Sequence, residues 1–120
     1  MALPVYTTFT STNFVRYFNM DYMVTPFNAS AMLFMNSSGT GAAAQVGVQY
    51  TMDDIVNTPS SLWRWVSDAN IPLTTTLAPS SQAAVTNYIV PVTALQVVIT
   101  SISCAASGNA IEFKLIQGLP

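Results

Sequence analysis

Histidine is absent from this 120-residue chain, cysteine occurs once, and charged side chains make up only 7% of it. Each shortage removes a class of function. Zinc cannot be held by its usual nitrogen and sulfur ligands, and a Ser–His or Cys–His nucleophile has no base. A Ser–Lys pair would need Lys114, which lies between Phe113 and Leu115 in a strand-like segment. The expectation is a protein that is not an enzyme, with no catalytic residue, no cofactor and no metal. Three cations, Arg16, Arg64 and Lys114, cannot neutralise many phosphates, and the isoelectric point near 4.4 agrees. Direct nucleic-acid binding is therefore not expected. No apolar run approaches the roughly 20 residues that span a bilayer, and the first residues show neither the basic nor the apolar region of a secretory signal. No membrane association is expected either. Gly39-Thr40-Gly41 lacks the Gly-Lys-Ser/Thr of a phosphate loop. Cys104 has no disulfide partner and no neighbouring cation in sequence, and reads as an inert buried thiol.

What the chain has instead is apolar and uncharged-polar residues. Hydrophobic side chains make up 51%, which excludes disorder, because disorder requires low hydrophobicity and high charge. The length suits one domain. Two long stretches, Tyr22–Met52 and Ala69–Ile111, carry no charge at all. A small soluble domain is normally about a quarter to a third charged on its surface. Part of this surface is thus expected to lie buried against other chains.

Helical periodicity is missing, and β-branched and aromatic residues recur in short runs separated by Gly, Pro, Asn and Ser. The pattern predicts strands at Val5–Thr10, Asn13–Phe18, Ala29–Asn36, Gln45–Met52, Leu62–Val66, Thr86–Val90, Val92–Ser101 and Ala110–Gln117. That spacing predicts an all-β fold, an antiparallel β-sandwich or jelly roll. Alternation assigns Val46, Val48, Tyr50, Leu95, Val97, Ile99, Ile111, Phe113 and Leu115 to the core. Gly108-Asn109 is turn chemistry, so the last two strands read as a hairpin. The segment Ile71–Gln82, with Pro72 and Pro79, reads as loop.

Seven of the thirteen aromatics fall in residues 1–27. This segment reads either as the first hairpin of the sandwich or as an extended arm reaching a neighbouring subunit, with 28–120 as the body of a single domain. Phe9, Phe14, Tyr17 and Phe18 are candidate interface anchors, since aromatics are enriched at such contacts. Trp63-Arg64-Trp65, read as a strand, puts both indoles on one face for packing, partner contact or sugar stacking. Arg64 on the other face is expected to pair with an acid of a partner chain. Asp53-Asp54 reads as a turn more readily than as a cation site.

Val48-Gln49-Tyr50-Thr51-Met52-Asp53-Asp54, followed by Pro59 and Trp63, resembles a pattern in small virion proteins of tailed phages. So do Asn87-Tyr88, Pro91-Val92-Thr93-Ala94-Leu95 and Ile111–Ile116 closing on Gln117-Gly118. The resemblance spans residues 46–118 and is nearest to capsid decoration or cement proteins. It implies a structural part of the virion, made in the host cytoplasm and bound outside the shell. Its partners would then be the major capsid protein and copies of itself, as a homodimer or higher oligomer. A tail, adaptor or head-fibre component is the alternative within the same class. A carbohydrate-binding module using Trp63 and Trp65 is the alternative from another class.

Overall fold

The computed structural model describes residues 4–9, 14–23, 26–36, 43–78, 83–103 and 110–117. They form nine strands: β1 Pro4–Phe9, β2 Phe14–Asn19, β3 Ala29–Asn36, β4 Ala43–Thr51, β5 Val66–Ser67, β6 Thr75–Leu77, β7 Ala84–Tyr88, β8 Ala94–Ser103 and β9 Ala110–Gln117. The all-β expectation holds. One sheet has the order β1-β9-β3-β7. The other has β2-β8-β4-β5, with β6 also on β4, and all pairings are antiparallel. Their facing side chains form one core cluster, making a β-sandwich.

Alternation correctly assigned the buried faces. Val46, Val48, Leu95, Val97, Ile99, Ile111, Phe113 and Leu115 are all fully buried. Tyr50 is only half-buried. Near the end of β4 it packs against the core edge, its ring 5.8 Å from that of Tyr88. A bulge between Gln45 and Val46 lets β8 carry one extra residue, since Gln45 faces Ser101 and Val46 faces Ile99. The skipped Thr100 donates its hydroxyl to the Gln45 carbonyl at 2.9 Å. The parity shift it introduces turns Ile102 back towards the core.

Pairing partners were less legible. The expected hairpin of the last two strands does not form: β8 and β9 lie in different sheets, and the chain crosses between them. Six residues, 104–109, separate the two strands, and at about 3.3 Å each they can bridge the roughly 10 Å between sheets. Gly108 and Asn109 lie outside the described residues. Nor do β1 and β2 pair with each other as a first hairpin. β1 pairs with β9 and β2 with β8 of the same chain. The expected strand Leu62–Val66 is instead a 3-10 turn, Ser60–Leu62, an extended stretch and the two-residue β5. A strand was missed at β6: the turn Thr75 N–H to Pro72 carbonyl, 2.9 Å, ends just where β6 begins. The strand then runs for three residues.

Gly47 is held by a close approach. Leu73 lies over it, and a Cβ at this position would sit 2.5 Å from the Leu73 Cα. Backbone cannot yield as a side-chain tip can. Gly47→Ala is expected to cost about 1–3 kcal/mol, read as a lower denaturation midpoint. A neutral result would show that residues 71–74 shift freely.

Candidate functional site

The connection from β4 to β5 folds back over the outer face of the second sheet. That face carries the row Tyr17, Gln96, Gln49, Ser67 across four strands. Gln96 Nε2 donates to Gln49 Oε1 at 2.8 Å. Trp63 is buried outside the core. Its ring meets Tyr17 edge-on at 5.1 Å and 76°, and Trp65 at 6.0 Å and 64°. Its indole N–H donates to the Thr58 carbonyl at 2.8 Å, closing the loop on itself. Tyr17, Trp63 and Trp65 are therefore one aromatic patch, as the alternate spacing of the two indoles suggested, although no strand places them.

The other candidates separate. Phe18, expected at an interface, is in the core, stacked on Phe113 across the two sheets at 5.2 Å. It and Tyr17 are neighbours on one strand and so point to opposite faces. Phe9 faces Ile111 in β1, and Phe14 faces Ile99 in β2; their side chains lie outside the described residues.

Arg64 pairs with an acid of its own chain. Its guanidinium reaches Asp53 at 2.8 Å, and its backbone N–H donates to the same carboxylate. The antiparallel register of Gln49 with Ser67 and Tyr50 with Val66, carried outward, sets residue 64 opposite residue 52, with Asp53 the next residue along. A carboxylate thus takes the N–H that a ladder bond would have used, which is why the strand expected here stops short. Asp54 turns the other way and accepts from Val56 N–H, Asn57 N–H and Asn57 Nδ2. The acid pair is thus split between an ion pair and a turn. Among the described residues no group of three His, Cys, Asp or Glu could hold a metal.

The hydrogen bonds and charge of Arg64 hold the Asp53 carboxyl down to about 2, and Asn57 lowers Asp54. An unfolded Asp53 protonates near 3.8. The clasp's contribution is thus fully present above about pH 4 and is lost as pH falls through 2. Because Arg64 is 87% exposed, the effect is local and screened. Tryptophan emission is expected to change between pH 4 and 2 without global unfolding. Asp53→Asn should show that loosened emission already at pH 7; an emission identical to wild type would separate the clasp from the indoles.

One polar centre has no counterpart in the sequence reading. Asp68, only 5% exposed, accepts from Asn70 N–H, Ile71 N–H, the Thr86 hydroxyl and the Tyr88 hydroxyl. Its own N–H donates to the Val48 carbonyl. It ties the edge of one sheet to β7 of the other. Burial, then the bond to Asp68, pushes the Tyr88 phenol far above its usual value. Both carboxylate oxygens are committed, so the group acts as a clamp between the two sheets. Its one sequence signal is the run Asp68-Ala69-Asn70-Ile71-Pro72, in which Asp bonds backbone two and three residues on.

No family model, no curated protein and no solved structure matches this chain.

Proposed function

We propose that this protein is a structural component of a tailed-phage virion, a decoration or cement protein that binds the outside of the capsid shell and stabilises it. The observation that carries the reading is the amount of apolar side chain left in water on a chain with so little charge. Val15, Tyr17, Val66, Val85 and Ile116 stand exposed on strands, and further apolar residues stand exposed in loops. Such surface marks association, and binding to the assembled shell stabilises that shell by mass action. The nested pairing, β1 with β9, β2 with β8, β3 with β7 and β4 with β5 and β6, is the connectivity of a jelly roll. That architecture recurs in viral capsid and lectin domains.

The lectin alternative is less well supported by the indoles themselves. Trp63 is buried, and the two rings meet edge to face, so they offer no broad platform for a sugar. Counting copies in purified particles tests the proposal. A number comparable to that of the major capsid protein is expected. A few copies per particle would favour a tail, adaptor or head-fibre component, and none would exclude a virion role.

A further inference from the structure

β2 is the outermost strand of its sheet. It pairs with β8 on one side, and among the described residues no strand pairs with the other. An open ladder of this kind is a template for a further strand. The remaining edges are blunted. β5 and β6, both beside β4, have only two and three residues. β7 is tied across to Asp68 and Asn70 by the side chains of Thr86 and Tyr88. β1 opens on Pro4, which has no N–H to give. β2 runs for six residues, Phe14-Val15-Arg16-Tyr17-Phe18-Asn19, with neither Pro nor Gly. Its aromatic and β-branched content is the composition of a segment that pairs with its own kind.

One residue of β2 breaks that pattern. Arg16 is the only charged side chain in the first 20 residues, and it points to the core side of the sheet. It lies two residues from Phe18 and in register with Val97, both of which are buried, and such positions share a face. Its guanidinium carbon sits 5.1 Å from the centre of the Phe18 ring, which in turn stacks on Phe113 of the other sheet. Arg16 is nonetheless exposed. The cation therefore stands at the rim of the gap between the sheets, its stem along the core and its head in water.

The geometry of a second copy shows what this position does. Two β2 strands paired edge to edge about a two-fold axis would run antiparallel, and side chains directly opposite share a face. The register centred on Arg16 sets the two cations against each other. The register centred on Tyr17 sets each Arg16 against the Phe18 of the other copy. In both, β2 becomes an interior strand of a joined sheet, and the guanidinium loses its water on the core side. A charge buried without a partner is costly. A cation on the outer face, beside Val15 or Tyr17, would have stayed in water and opposed the pairing far less.

We propose that Arg16 is a guard residue. It bars the β2 edge from continuing its sheet into a second copy, so that any contact this protein makes with its own kind uses another surface. The inference is independent of the virion reading.

The experiment compares the full-length wild type with Arg16→Val, Arg16→Thr and Arg16→Lys. Sedimentation over a dilution series measures association, and amide hydrogen exchange at low and high concentration locates it. Arg16→Val, or Arg16→Thr should the first not fold, is expected to associate at least about tenfold more tightly than wild type, because no charge is then buried in the contact. Residues 15–18 should gain exchange protection as its concentration rises. Arg16→Lys keeps the charge and is expected to sediment as wild type. Unchanged association in the uncharged variants would overturn the guard, and so would association that leaves the amides of β2 unprotected. An Arg16→Lys variant that associates like Arg16→Val would show that charge is not the agent. Concentration-dependent protection of β2 in the wild type would show that the edge already pairs. Loss of folding in both uncharged variants would make Arg16 a residue of the fold and overturn the guard as well.

Discussion

Replacing Asp68 by alanine is expected to destabilise the sandwich by about 3–5 kcal/mol, measured by urea denaturation. The substitution orphans four donors at once, and three of them, the Ile71 N–H and the Thr86 and Tyr88 hydroxyls, are in buried bonds. A buried unsatisfied donor costs about 1–3 kcal/mol, and bonds to a charged acceptor are the stronger kind. Asp68→Asn keeps the shape and one acceptor oxygen. Hydroxyls can rotate to accept from the new amide, so its loss should be about half as large. Tyr88→Phe removes one donor from the same carboxylate, and the two substitutions should be strongly non-additive. A loss under about 1 kcal/mol in the alanine variant would mean that water replaces the carboxylate.

The same clamp has a signature in alkali. The Tyr88 phenol is held protonated in the folded protein well beyond its ordinary value of 10.0. The folded state therefore binds the proton more tightly than the unfolded chain. Stability is full below pH 10 and falls above it, by at most about 1.4 kcal/mol per pH unit for one group. Tyr88→Phe should flatten that decline.

Truncating Phe113 to alanine is expected to cost about 3–5 kcal/mol, the range for large aromatics cut back in a rigid core. Phe113 is completely buried in the middle of β9. It lies between Thr7 of β1 and Leu33 of β3 in the register. Its ring stacks on Phe18 of the opposite sheet, so the hole would open where the two sheets meet, and neither backbone ladder can collapse into it. Phe34→Ala is the comparison. That ring sits on the outer face of the same sheet beneath the Lys114 ammonium, at 5.2 Å, and its loss should be much smaller. Equal losses would mean that the sheet faces are assigned the wrong way round.

The inward face of Phe113 was legible before any fold was known. Phe113 alternates with Glu112 and Lys114, and a strand's side chains take opposite faces by local geometry alone. For the same reason Ala29–Asn36 and Ala110–Gln117 coincide with β3 and β9 as expected, and the all-β class followed from strand-forming runs with no helical period. The shortage of charge is a ground for the association proposed above, and it too is read from the sequence.

Pairing is different, because the partner of a strand lies far away in the chain and leaves no local mark. Nothing within Gln117 announces that it will clasp Asp21, 96 residues earlier. The Gly108-Asn109 turn signal was equally compatible with a hairpin and with a crossing between sheets. Arg64 found Asp53 inside its own chain only because β4 and β5 return antiparallel to each other. Asp68 became the best-satisfied carboxylate in the described structure only when β7 brought Thr86 and Tyr88 beside it. Within the regular strands whose alternation is clean, sequence alone determined which residues share a face, since that depends on a two-residue period. The tertiary structure decided which polar groups meet and which strands are left at an edge, since those depend on the order in which distant strands close the two sheets.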